Sequence, residues 1–555
     1  MFRRALIATA CAGSAIALYA CGGTDSSTPV TSQNALQTAT PIKHLVVIYG
    51  ENVSFDHYFG TYPNAANPPG EPAFSAASGT PPINGLSGLL LTANPNATNP
   101  ANGAGAANPF RLDRTQAATA DQNHAYTAEE QAYDNGLADL FPKYTGKGSS
   151  GGAGAFGTTG QVMGYFDGNT VTALWNYAQR FAMSDNAYTS TYGPSTPGAL
   201  NVIAGQTDGM QIVKTSKAVS TLAKTSYYVN DGQGGLTMIN DVDPGYDVCS
   251  SPTDQAMMSG KNIGDLLNAR NITWGGFMGG FNLSTANANG TTGCKRSTIA
   301  TAVNAATADY IPHHNWFQYY ASTANPQHTR PSAIAAIGSS VETDGKTPEP
   351  ANHQYDSDDF FAAVKAGNFP SVSFLKAPAA QDAHAGYSDP LDEQQFVTKI
   401  INFLQQQPDW ANTAVIVTYD DSDGWYDHAY TSPTRASFDA VDQLNGDSVC
   451  GAGAATTGVA GAPVNGRCGP GTRIPFVVVS PWAKQNYVSH TLIDQASVVR
   501  FIEDNWLGGQ RIGGGSFDAT AGDMRDLFDF SGAVNKTPLY LDPTLGTKLA
   551  TAPSI

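Results

Sequence analysis

Charge is what this 555-residue chain has least of. Only 14% of its residues are Asp, Glu, Lys or Arg, against roughly 25% in an ordinary soluble domain. Basic residues are the scarcer half: 29 Lys plus Arg face 46 Asp plus Glu, a formal net charge of −17. That balance excludes nucleic acid as a partner, because phosphate backbones are bound through basic surface. Cysteine is scarce as well, with six in all, and Cys11 and Cys21 belong to an N-terminal segment of their own. The other four, Cys249, Cys294, Cys450 and Cys468, lack zinc-ligand spacing. An even count in an exported chain reads as disulfides, and proximity in sequence predicts Cys249–Cys294 and Cys450–Cys468. What the chain has in quantity is Gly (58) and Pro (33). With a length that buries a large core easily, this describes a loop-rich globular protein of secreted type.

The N-terminus points to the same compartment. Arg3 and Arg4 precede an apolar run of small residues from Ala5 to Ala20, too short for a membrane span and shaped like a signal peptide. Leu18-Tyr19-Ala20-Cys21-Gly22 resembles a bacterial lipobox. Two outcomes fit it: lipidation of Cys21, giving a membrane-anchored protein, or simple cleavage nearby. Residues 22–40 are polar and read as a tether. The expected location is therefore exported: periplasmic, anchored at the outer membrane, or secreted.

The first buried-strand signal is His44 to Tyr49, which stops at Gly50 and delivers Glu51 and Asn52. Ligands bind beyond such strand ends in open α/β sheets, and a carboxylate beside an amide offers two hard oxygen ligands. An inert polar turn would look the same. Asn64 to Asn108 has no sustained period and reads as a surface excursion. His124 stands at the entrance of a helix that begins near Thr127-Ala128-Glu129-Glu130, where it is a candidate functional group or a structural one. Gly146 to Gly160 is a glycine-rich loop, and Thr170 to Phe181 has helical spacing. Gly193-Pro194-Ser195-Thr196-Pro197 then places Ser195 at a helix N-terminus, where it suits a cap and equally a phosphorylated nucleophile.

Residues 208–350 have weak periodicity and read as an insertion or lid. Within them, Tyr310 to Tyr320 is dense in aromatics and carries His313 and His314, of which at most one reaches a shared site. Regular structure resumes with the strand Ser371 to Lys376, a loop holding His384, and an amphipathic helix from Glu393 to Gln407. Thr413 to Tyr419 is the strongest strand signal and ends in Asp420-Asp421. Arg473 to Ser480 is a further strand, and Ser497 to Trp506 a closing helix. Near-continuous apolar strands alternating with helices predict a doubly wound, mostly parallel α/β sheet. Two strand ends bearing paired oxygen ligands, with a turn-borne serine, suit a metal-assisted phosphate site.

Four motifs in this order, ENVSFDHYFGTYP, GPSTP, HAGYSDP and VTYDDSDGWYDH, resemble the bacterial phosphoesterases that group acid phosphatases with non-haemolytic phospholipases C. The resemblance runs from about Pro41 to Trp506. It implies an alkaline-phosphatase-like α/β sandwich forming one catalytic domain over 41–550. It also implies one divalent metal ion held by Glu51, Asn52, Ser195, Asp420 and Asp421. Ser195 would be the nucleophile in a phosphoserine reaction, with His124, His314 and His384 around the phosphate of an ester substrate. Val53 stands where the family often has Arg. Ser195 and Asp421 stand where the phospholipase branch usually carries Thr and Glu. The chain also ends soon after the core, without that branch's extra C-terminal domains. The nucleophile and the chain end favour the acid-phosphatase branch, hence a phosphate monoesterase. The rival, a phosphatidylcholine-cleaving phospholipase C, calls for an exposed apolar rim that Tyr310 to Tyr320 could supply.

Overall fold

A computed structural model describes residues 36–149, 156–213, 227–253 and 255–554. The signal-like segment with Cys11 and Cys21, most of the tether and the middle of the Gly146–Gly160 loop lie outside the described residues. Eight strands form the main sheet: β1 His44–Gly50, β2 Ala182–Ser184, β3 Trp274–Met278, β4 Gln354–Asp356, β5 Val372–Lys376, β6 Thr413–Tyr419, β7 Phe476–Val479 and β8 Tyr487–Ser489. Their order across the sheet is β4-β3-β5-β1-β6-β7-β2-β8. From β4 to β6 all neighbours are parallel, as are β2 and β8. The exception is β7, antiparallel to both β6 and β2. The chain leaves β6 at Asp420 and returns as β7 beside the same strand, so no crossover helix is needed there.

β1, β5 and β6 are buried along their whole length. Strands apolar on both faces require layers on both sides of the sheet. The helices include α1 Phe55–Phe59, α2 Tyr126–Tyr133, α3 Thr172–Arg180, α4 Ser195–Ala204 and α5 Pro390–Leu404. The start of α5 lies three residues before the periodicity suggests, because Asp389 accepts the N–H groups of Leu391 and Asp392 and Pro390 occupies the first turn, where a missing N–H does no harm. Among the described residues no helix is long and apolar enough to cross a membrane.

The 208–350 region divides. A five-stranded sheet occupies Asp208–Ile212, Tyr228–Asn230, Leu236–Met238, Asp243–Pro244 and Gln255–Met258. Beyond it, β3 belongs to the main sheet, so this region is not all insertion. Its two glycines, Gly275 and Gly276, hide the strand signal. Tyr310, Trp316, Phe317, Tyr319 and Tyr320 are buried, with Phe317 packed against Trp274 and Phe374. The expected apolar rim is therefore core, not surface. Cys249–Cys294 and Cys450–Cys468 are both disulfide-bonded.

Candidate active site

β1 and β6 run parallel with Gly50 opposite Tyr419. That register carries Glu51-Asn52 and Asp420-Asp421 out of the sheet side by side. The helix bearing Ser195 is brought onto the same edge through Gly198: a Cβ there would lie 2.1 Å from the carbonyl oxygen of Asp420. Ser195 does not cap its helix, and the residue before it, Pro194, has no side chain that could. Its Oγ instead lies 3.0 Å from Glu51 Oε2, 3.3 Å from Asp421 Oδ2 and 3.5 Å from Asn52 Oδ1. Asp420 stands behind this group. Its Oδ1 accepts the N–H groups of Asn52 (3.2 Å) and Asp421 (3.0 Å), tying the two strand ends together. All five residues are buried.

Oxygen faces oxygen here with a single hydroxyl proton to share. The Asn52 amide oxygen meets only acceptors; turned over, the amide nitrogen would donate to Glu51 Oε2, Asp420 Oδ1 and Asp421 Oδ2 at 2.7–3.2 Å. In that orientation the amide oxygen would accept from His384 Nε2 at 3.1 Å; with the oxygen inward, it is a ligand for a cation. The local charge agrees. The carboxylates of Glu51, Asp420 and Asp421 face one ammonium, Lys376, whose Nζ contacts Glu51 Oε1 and lies 3.4 Å from Asp420 Oδ2. Carboxylate outnumbers ammonium in this group, an excess of negative charge that a bound cation would offset. Burial pushes Glu51 up to about 7 against the pull of Lys376, and pushes Asp420 and Asp421 well above the usual carboxylate range. These acids are strained by one another's charge and call for positive charge.

The three histidines border this cradle. His314 Nδ1 lies 3.1 Å from Glu51 Oε1, His384 stacks near His314 with centroids 6.4 Å apart, and His124 stands edge-on to His384 at 6.1 Å. Two further acid-histidine groups lie here, Asp121 with His124 and His384, and Glu51 with His314 and Asp382. Burial lowers His384 to about 4 and His314 well below its ordinary value. His124 goes the other way: burial opposes its charge, but Asp421 and Asp423 hold it well above the ordinary histidine range. Its Nδ1 lies 3.0 Å from Asp423 Oδ1. His313, the neighbour of His314, faces Asp243 at 3.5 Å.

Sequence reasoning missed Lys376, Asp382 and Asp423. Lys376 closes an otherwise apolar strand and Asp423 lies two residues past Asp421, so each had a signal; Asp382 had none.

A family model described as the Phosphoesterase family matches residues 42–507. Phospholipase C A of Mycobacterium tuberculosis is 24% identical over 91% of this chain and 81% of its own length. A non-hemolytic phospholipase C of Burkholderia pseudomallei is 24% identical over 91% of this chain and 61% of its own. Hemolytic phospholipase C of Pseudomonas aeruginosa is 33% identical over 31% of this chain, and the match spans only 22% of that protein. A Vibrio parahaemolyticus structure in the alkaline phosphatase superfamily aligns over 75% of this chain and 74% of its own, at 10% identity and a TM-score of 0.27. With the family model covering the strand ends, the serine turn and the late aspartates together, the chain belongs to the Phosphoesterase family.

Proposed function

We propose that the protein hydrolyses phosphate monoesters at acidic pH, as an exported, metal-dependent acid phosphatase working through a phosphoserine. The observation that carries this reading is the position of Ser195 Oγ, within 3.5 Å of Glu51, Asn52 and Asp421 oxygens at once. Glu51, Asn52, Asp420, Asp421 and Ser195 would hold one divalent cation, which when bound supplies the positive charge that favours a serine alkoxide and a charged phosphoryl group. Ser195 passes its hydroxyl proton to Glu51 Oε2, the acceptor 3.0 Å away; its Oγ attacks phosphorus and the ester oxygen leaves. His124, held protonated by Asp421 and Asp423, delivers the proton to that oxygen. His314 and His384 bracket the phosphate, and one of these neutral rings takes the proton of the water that cleaves the phosphoserine. Export rests on the N-terminal signal-like sequence, and anchoring would follow from lipidation of Cys21.

A second reading is supported by the relatives, several of which are named phospholipases C. Against it stands the burial of the Tyr310–Tyr320 aromatics, which removes this segment as an apolar rim for a lipid substrate. Purified protein is assayed on an aryl phosphate monoester and on phosphatidylcholine, with and without chelator and with metal analysis. Monoester turnover that is lost in Ser195→Ala supports the phosphatase. Faster release of diacylglycerol than of monoester phosphate moves the protein to the phospholipase reading. Turnover that survives in Ser195→Ala removes the nucleophile assignment.

A further inference from the structure

The helix that begins at Ser195 supplies no cap of its own, so its leading N–H groups need partners from elsewhere. One carboxylate, Asp241, provides such a partner, and another, Glu129, holds the turn just before the helix. Gly193 N–H donates to Glu129 Oε2 at 2.9 Å, and Thr196 N–H donates to Asp241 Oδ1 at 2.9 Å. Asp241 comes from the five-stranded-sheet region, so that region grips the serine helix directly. Glu129 does more. Its second oxygen, Oε1, accepts the Ser422 hydroxyl at 2.7 Å, and Ser422 directly follows Asp421. Glu129 itself sits in α2, whose entrance carries His124, and it is 1% exposed.

One carboxylate thus joins three segments: the turn that presents Ser195, the loop that presents Asp421 and the helix behind His124. Both of its oxygens are engaged by protein donors in the buried interior. Gly193 has φ +108°, a conformation that glycine alone adopts without strain. We infer that Glu129 is a positioning residue for phosphoryl transfer, setting the separation between Ser195 Oγ and the Asp421 carboxylate. This rests on Ser195 being the nucleophile.

The geometry also specifies the substitution that should restore function. Gln is isosteric with Glu. Its Oε1 can accept from Gly193 N–H while its Nε2 donates to Ser422 Oγ, so both ties survive without the charge. Asp is shorter by one methylene and cannot span the two donors. The full-length enzyme, loaded with its metal, is compared with Glu129→Gln, Glu129→Asp, Glu129→Ala and Ser195→Ala by steady-state kinetics, metal content and thermal melting. Glu129→Asp and Glu129→Ala are expected to lose about 10- to 100-fold in kcat, as a misplacement of about 1 Å in a reacting group does. Because Ser195 and Asp421 are themselves proposed ligands, kcat is compared at saturating metal, and KM should then stay within about twofold. Glu129→Gln should keep kcat within about threefold. Should the Ala variant fail to fold, the Asp and Gln pair decides the matter alone. An unimpaired Asp variant would overturn the inference, and so would a Gln variant as poor as Asp, since charge rather than geometry would then be what matters. An active Ser195→Ala enzyme would instead remove the nucleophile reading beneath it.

Discussion

Lys376 and Glu51 leave adjacent parallel strands, β5 and β1, and their charged ends meet in a fully buried contact behind Ser195. The ammonium reaches Asp420 as well and lies 5.1 Å from the ring centre of Tyr49. Nearby carboxylates hold Lys376 protonated, raising its pKa in spite of burial. It is a permanent internal cation in an otherwise acidic cluster.

Replacing that cation tests its weight. Lys376→Met keeps the length of the side chain and removes the charge, leaving Glu51 and Asp420 buried without their partner. Breaking a buried pair in this way costs about 3–5 kcal/mol. The loss should be largest in chelator-treated protein and smaller with divalent ion added, since the added charge stands in for the ammonium. Urea unfolding with and without metal measures both. Equal stability of wild type and variant in chelator would show that the pair contributes nothing.

Gly198 is the contact that lets the serine helix approach the Asp420 loop. In Gly198→Ala the new methyl meets the Asp420 carbonyl, so α4 or the loop must shift by about 1 Å or more, and Ser195 moves with it. The expected outcome is a fall in kcat of about 100-fold or more together with a lowered melting temperature. Activity assays and calorimetry on the same preparation check this. Full activity in the Ala variant would mean that the helix can move without displacing the serine.

Glu393, buried in α5, accepts hydroxyl hydrogen bonds from Tyr58 and Tyr419. Burial pushes its carboxyl up to about 8, whereas in the unfolded chain it titrates at about 4.3. Between those values the unfolded chain gives up its proton and the folded one keeps it. The contribution of this group to stability is therefore full below about pH 4 and declines until about pH 8. Gln has no proton to lose and can still bond both tyrosines. Melting curves should show Glu393→Gln gaining on wild type from pH 5 to pH 8, by about 1 °C for each kcal/mol. A difference that does not change with pH would place the proton elsewhere.

Much of the site is legible in the order of residues along the chain. β1 and β6 are fully buried strands whose apolar runs stop at polar pairs, and a strand's end is a local property of its sequence. Ser195 at a helix entrance follows from the Gly-Pro and Pro-Gly steps around it, although its choice between capping and facing the cradle does not. Other features leave weaker traces. β3 carries two adjacent glycines, while β2 and β8 are three residues each, too short to show a period. The aromatics of Tyr310–Tyr320 suggest an exposed rim because composition alone cannot say which side of a segment faces inward.

Sequence by itself determined that this is a charge-poor acidic α/β protein, with oxygen ligands at two strand ends, a serine at a helix entrance and the motifs of its family. Those features depend on the order of neighbouring residues, which is all that local sequence encodes. Only the tertiary structure decided that Gly50 and Tyr419 lie in register, that Gly198 lets α4 touch the Asp420 loop, and that Lys376, Asp423 and Glu129 surround the cradle. Each of these relationships joins residues distant in sequence, and it exists because packing two layers onto one sheet leaves those side chains no other place to go.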